Sequence, residues 1–230
     1  MQFRHAAALR ADYPELACGL IHAVGITPAA DPSAAITRFE AIAAARLAQA
    51  SEGEFPEIQA WRRVFSRMGL KPTQYRCAAE ALLRRFRQDG ALPRLHPLID
   101  LCNAASLAAA VPIAVFDLAG ISGDLEVRQA TGMETYTAFS GETEHPAPGE
   151  VIFADEAGEA HARRWCHRQG ARSAVRETTA SVLIVAEAMH DGAGRDIGAL
   201  IAALGHEIAA LWPADGRRAQ LTAAAPAFAV

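Results

Sequence analysis

Apolar residues recur at three- and four-residue intervals through most of the first half of the chain and gather into short unbroken runs in the second, so helices are expected early and strands late. One strand is expected before the first helix: Ala17-Cys-Gly-Leu-Ile-His-Ala-Val-Gly-Ile26 is an apolar run carrying glycine near its ends. Asp31-Pro32 then reads as an N-cap and first helical residue, because a carboxylate accepts the orphan amide hydrogens and proline has none to lose. That helix is predicted from about Pro32 to Gln49. A second starts at Pro56 and stops near Gly69. A third is capped by Thr73, ends at Gly90, and turns Cys77, Ala78, Ala81, Leu82 and Phe86 toward the core.

After Pro93 the chain reads as a loop, and His96-Pro97 opens a helix in which Leu98, Leu101, Cys102, Ala105 and Leu107 repeat at helical spacing. Asp100, Asn103 and Ser106 fall three apart and so share one side of it, a row expected to line a cavity rather than face solvent. Ile113 to Leu118 and Asp124 to Ala130 read as strands joined by a tight turn at Gly120-Ile-Ser-Gly123. Further strands are predicted at Gly149 to Ala154, Ala160 to Arg168 and Ala180 to Ala186, and a last helix at about Gly192 to Leu211 before Trp212-Pro213. Helices set before and after a block of strands argue α+β rather than a doubly wound sheet. The alanine-rich tail, Gln220 to Val230, is expected to be loose.

Composition adds bounds. The 230 residues, 51% hydrophobic and 21% charged, suit one domain, residues 1–230, with a substantial core. No apolar run is long enough for a membrane span and the N-terminus lacks a signal-peptide block, so a cytoplasmic protein with no membrane partner is expected. Cys18, Cys77, Cys102 and Cys166 have no ligand-like spacing and the eight histidines form no cluster, so no disulfide, metal or other cofactor is expected.

Charge is uneven despite a net −4. Arg62, Arg63, Arg67, Lys71, Arg76, Arg84, Arg85, Arg87 and Arg94 face only Glu80 and Asp89 in the same stretch. A second block, His161 to Arg176, holds Arg163, Arg164, Arg168, Arg172 and Arg176 with no acid. Such patches can steer a polyanion to one face of an acidic protein.

His96-Pro-Leu-Ile-Asp-Leu-Cys-Asn-Ala-Ala-Ser-Leu107, Pro112-Ile-Ala-Val-Phe-Asp-Leu118 and Gly123-Asp-Leu-Glu-Val-Arg128 together resemble the editing and tRNA-binding domain of the β subunit of bacterial phenylalanyl-tRNA synthetase. That family has Asn-x-Val-Val-Asp-x-Thr-Asn followed by Pro-x-His-Ala-Phe-Asp. Gln169-Gly-Ala-Arg-Ser-Ala-Val-Arg-Glu-Thr-Thr179 is similar to its segment ending in Ser-Glu-Val-x-x-x-Thr. The resemblance is strongest over residues 60–190. It implies a mixed β-sheet sandwich or barrel-like core flanked by helices, in a free-standing relative of that domain.

The activity implied is trans-acting editing: binding of tRNA or aminoacyl-tRNA and hydrolysis of the ester to a wrong amino acid. Asn103, Asp117 and Thr179 are the implied catalytic set. Asn103 and Ser106 would orient substrate or water, Asp117 would accept from an ammonium or ribose hydroxyl, and Thr178 or Thr179 would line the pocket. The family histidine is Ala114 here, and its glutamate falls at about Ala174. Arg164, Trp165, His167 and Gln169 are candidates for a replacement set, with Arg76, Glu80 and His96 beside them. Arg62, Arg63, Arg84, Arg85, Arg163, Arg168 and Arg172 are the candidate tRNA contacts. Bland readings stand next to these: Trp165 as a core aromatic, His167 as a satisfied strand histidine, Glu80 as an ion-pair partner on its own helix. Two other functions stay open, a noncatalytic RNA- or tRNA-binding module and a pocket protein for a free amino acid or small metabolite.

Overall fold

Two stacked β-sheets divide the strands between them in a computed structural model that describes residues 1–213 and 216–230. The larger sheet has the order β12 (Ala227–Ala229), β1 (Gln2–His5), β4 (Leu125–Gln129), β7 (Val151–Asp155), β8 (Ala160–Arg163), β9 (Arg168–Gln169). The smaller has β11 (Arg217–Leu221), β2 (Ala17–Val24), β10 (Ser181–Ala188), β3 (Ile113–Asp117). A separate hairpin pairs β5 (Tyr136–Thr137) with β6 (Thr143–Glu144). The β1–β4 pair is parallel and the other named-strand pairs are antiparallel, so the sheet is mixed.

The architecture is α+β, with helices α1 (Ala7–Asp12), α2 (Ser33–Leu47), α3 (Pro56–Arg67), α4 (Ala78–Asp89), α5 (Pro97–Ala109) and α6 (Ala193–Leu211). β10 shows why the late apolar runs do not alternate: it is covered on both faces. Leu183 and Val185 join Leu20, Phe116, Phe153 and Val127 in a core between the sheets that also takes Trp61 and Phe65 of α3 and Leu83 of α4. Val182, Ile184 and Ala186 pack in a second core with Leu98 and Leu101 of α5 and Ile197, Ile201 and Leu204 of α6. α6 comes so near the smaller sheet that a Cβ on Gly19 would lie 2.5 Å from Ile201 and 2.6 Å from Ile197.

Several expectations need correction. Pro32 occupies the N-cap position of α2, while Asp31 accepts from the Ser33 amide at 3.0 Å. α4 begins at Ala78 with Cys77 as its N-cap, not Thr73, so its buried face is Ala79, Glu80, Leu83 and Phe86, and Ala81 is exposed. Gly90 ends it as expected, in the left-handed region at φ 74°. β3 and β4 do not form a hairpin; they belong to different sheets, so residues 120–123 cross between layers. The tail is not loose, since β11 pairs with β2 and β12 with β1. β1, α1 and the β5–β6 hairpin are short elements that the periodicity did not reveal. Among the described residues no helix is long and apolar enough to cross a membrane.

Candidate active site

The run expected as one strand from Ala160 to Arg168 breaks after Arg163. Arg164 (φ 46°) and Trp165 (φ 59°) are consecutive left-handed residues, and β9 resumes only at Arg168. Two such non-glycine residues cost about 1–3 kcal/mol each. Burial of the indole offsets this: Trp165 is fully enclosed, edge-on to Trp61 at 5.3 Å and Tyr13 at 5.0 Å between ring centroids. Its amide also donates to the Val151 carbonyl at 2.7 Å. The turn therefore serves as a rigid brace that carries Trp165, Cys166 and His167 across the open side of the two sheets.

Behind that brace lies a cavity of about 60 Å³. Pro112, Ile113 and Ala114 of the β3 edge form one wall, Phe153 and Ala162 of the larger sheet another, Val185 and Glu187 of β10 the floor, and residues 165–169 the rim. Val185 and Glu187 are two apart on one strand and thus face the same way. Glu187 is 3% exposed and is, among the described residues, the one acidic group lining the cavity. His5 Nε2 lies 2.6 Å from its Oε1, and the Trp165 indole N–H donates to Oε2 at 3.0 Å.

At the rim, His167 Nδ1 donates to the Arg76 carbonyl at 2.8 Å. A carbonyl can only accept, so the neutral ring carries its proton on Nδ1 and presents a bare Nε2, which has no protein hydrogen-bond partner among the described residues. Burial pulls the His167 pKa below the ordinary imidazole value, and the Arg164 and Arg168 charges push the same way, against the hydrogen bond to Arg76. The ring sits edge-on to Tyr75 at 5.3 Å. Gln169 Nε2 donates to the Val115 carbonyl at 2.7 Å, which leaves its second amide proton and its oxygen available.

Trp165, His167, Arg168 and Gln169 thus come together, while the other candidates are placed elsewhere. Ser106 is buried and donates to the Val111 carbonyl at 2.6 Å. Asp100 accepts from the Leu95 amide at 2.9 Å, and Asn103 is half-buried; neither they nor Ser106 line the cavity. Asp100 and Ser106 of this α5 row close local backbone groups, and the row does not wall the cavity. Asp117 accepts from the Thr179 hydroxyl at 2.7 Å and the Ala119 amide at 3.0 Å, a buried clasp tying β3 to the segment before β10. Thr178 is exposed. His96 caps α5, its Nδ1 accepting from Leu98 at 3.2 Å. Glu80 is a buried ion-pair partner, but not within its own helix: it meets Arg62 of α3 at 2.6 Å and Arg76, which precedes α4, at 3.4 Å. Trp165 is both a core aromatic and a wall of the cavity.

Many of the basic residues are paired, mostly with acids distant in sequence. Arg163 is buried against Glu144 and Glu150, Arg168 pairs with Glu144, Arg85 with Asp89, and Arg164 stacks over Tyr75 at 4.9 Å. Exposed Arg63, Lys71, Arg84 and Arg172 have no carboxylate partner among the described residues.

Two other constellations bear on chemistry. His5, Cys18 and Glu187 have donor atoms within 4.8 Å of one another, the one group of metal-ligand type among the described residues, and two of them, His5 and Glu187, are hydrogen-bonded directly to each other. Ser173 Oγ, His161 Nδ1 (2.9 Å) and Asp155, 3.3 Å from His161 Nε2, mimic a nucleophile set. Ser173 and His161 are wholly buried and do not line the cavity behind the turn, and Asp155 is spent on backbone amides of Ser122, Ala157 and Glu159. Sequence reasoning missed His5 and Glu187; the only trace was a lone acid inside an otherwise apolar strand.

Residues 60–199 match the family model described as the B3/4 domain. The chain belongs to the B3/4 domain family. All the cavity-lining residues fall within the matched B3/4 segment, whereas His5 lies outside it. Relatives include phenylalanine–tRNA ligase beta subunits of Cereibacter sphaeroides, 34% identical over 76 residues (33% of this chain, 9% of that protein), and Thiobacillus denitrificans, 35% over 77 residues (34% and 10%). The chain therefore spans about a tenth of the length of these relatives. An N-terminal fragment of the phenylalanyl-tRNA synthetase beta subunit from Pyrococcus horikoshii aligns with a TM-score of 0.49 at 10% identity, over 94% of this chain and 49% of that one. Ala114, where the resembling motif has histidine, lines the cavity of this B3/4 chain, and Ala174 does not.

Proposed function

We propose that this B3/4 chain binds aminoacyl-tRNA and hydrolyses the ester between amino acid and tRNA, with the amino acid in the cavity behind the Trp165 turn. The observation that carries the reading is His167: a cavity-lining imidazole whose tautomer is fixed by a backbone carbonyl, and whose depressed pKa keeps it unprotonated near neutrality. Its bare Nε2 takes a proton from water as the water oxygen bonds to the ester carbonyl carbon. The carbonyl oxygen gathers negative charge, and the free amide proton of Gln169 is a side-chain donor on that rim. Collapse expels the ribose oxygen, which takes the proton back from His167, so the base is regenerated and acid and alcohol leave. Arg76 and Arg164 stand beside the mouth, and Arg63, Lys71, Arg84 and Arg172 supply unpaired charge for phosphates.

The test is release of amino acid from a panel of tRNAs charged with each common amino acid. Turnover on at least one member is expected, and its absence on every member would overturn the hydrolase reading. Alanine at positions 114 and 174 favours the second reading, a tRNA-binding module without chemistry. Salt-sensitive tRNA retention with no turnover would be its signature.

A further inference from the structure

We infer, resting on the hydrolase reading above, that the cavity accepts a short side chain ending in a hydroxyl, the serine and threonine class, and that Glu187 reads that hydroxyl. Size comes first. A protein cavity of about 150 Å³ is what accommodates a benzene ring, and this one measures about 60 Å³. At about 30 Å³ per liquid water, the space suits two or three non-hydrogen atoms. Aromatic side chains and the long stems of lysine and arginine are excluded on volume.

Chemistry then selects among the small ones. Pro112, Ile113, Ala114, Phe153 and Val185 give no hydrogen-bonding side chain, and the buried carboxylate of Glu187 is the acid present. A carboxylate offers about four acceptor sites; His5 and the Trp165 indole engage one on each oxygen. Each oxygen thus keeps one acceptor site for a substrate donor. A bound hydroxyl donates to one of them. A methyl group of the same size expels the water and gives nothing back, leaving a buried charge-bearing acceptor unmatched. That asymmetry is what lets a hydrogen-bonding site reject an analogue lacking the hydroxyl far more strongly than an apolar pocket rejects an added one. The carboxylate is preorganised, because its two clamps come from different elements, β1 and the braced turn, and the β1 clamp lies outside the segment matched by the family model.

The experiment measures calorimetric binding of adenosine carrying serine, threonine, alanine, valine or phenylalanine through a non-hydrolysable 3′-amide, alongside turnover of the matching aminoacyl-tRNAs. Threonine over valine and serine over alanine are expected by on the order of 100-fold or more, with phenylalanine unbound. Glu187→Gln, equal in size, is expected to shrink the threonine-to-valine ratio to below about tenfold. Valine or phenylalanine binding as tightly as threonine, binding of no analogue at all, or an unchanged ratio in a folded Glu187→Gln would each overturn the inference. The wild-type ratio needs no variant, so a misfolded Glu187→Gln does not shelter the idea. Selective threonine binding with no ester cleaved would uphold the recognition while removing the hydrolase.

Discussion

Replacing Asp117 by alanine separates a structural clasp from a catalytic carboxylate. Asp117 holds the Thr179 hydroxyl at 2.7 Å and the Ala119 amide at 3.0 Å, and both Asp117 and Thr179 are buried. A buried group left without its partner costs about 1–3 kcal/mol. Thr179 bears that cost in full, while the amide of exposed Ala119 regains water, so Asp117→Ala is expected to lose about 2–3 kcal/mol. For a chain of this length that corresponds to a melting point lower by about 5–10 °C. Urea unfolding followed by tryptophan fluorescence reads the loss as a lower midpoint. A double-mutant cycle with Thr179→Val should return a coupling of roughly 1 kcal/mol. A change under about 0.5 kcal/mol accompanied by a hundredfold loss of ester hydrolysis would refute the clasp and restore Asp117 to the chemistry.

His167→Ala should lower kcat for the ester by about 10²–10⁴-fold, and wild-type turnover should be flat at neutral pH and fall as acidity rises through a pKa below the usual value of about 6.5, since only the unprotonated ring is a base. A pH–rate profile whose acid limb survives in His167→Ala would contradict this. Gly19→Ala should destabilise by about 1–3 kcal/mol, because its methyl would lie 2.5 Å from Ile201, and thermal unfolding checks it. Neutralising Arg63, Arg84 and Arg172 together should reduce the salt slope of tRNA binding by nearly one unit for each phosphate that they neutralise in the wild type, whereas Arg163→Ala should chiefly destabilise, its guanidinium being buried against Glu144 and Glu150.

The long periodic elements were legible because each pattern was decided locally. α5 begins where His96-Pro97 placed it, and Gly90 stops α4 because glycine tolerates φ 74°. The α4 start was misjudged because Thr73 is a chemically good cap, yet the chain takes a turn there and gives the cap to Cys77. Spacing alone put Asp100, Asn103 and Ser106 on one side of α5, but it could not say that two of them would be consumed by nearby backbone groups. The second arginine block looks unopposed in sequence because Glu144 and Glu150, which pair with its Arg163 and Arg168, lie outside its sequence window. Trp165, His167 and Gln169 were found by residue type. The double left-handed turn that gathers them has no glycine to announce it, since tertiary burial of the indole stabilises it. Glu187 and His5 meet only after β1 and β10 enter different sheets, and no local pattern records such a meeting.

If ester hydrolysis occurs in the cavity walled by Ala114, His167 and Glu187, filling that cavity must stop it. Single-turnover deacylation by Ala114→Ile is the decisive measurement, because three added carbons take up a cavity of about 60 Å³ while Arg63, Lys71, Arg84 and Arg172 stay in place. The expected result is tRNA affinity close to wild type with cleavage slowed by at least about 100-fold. Undiminished cleavage in a folded Ala114→Ile protein would contradict this placement and put the chemistry elsewhere on the chain.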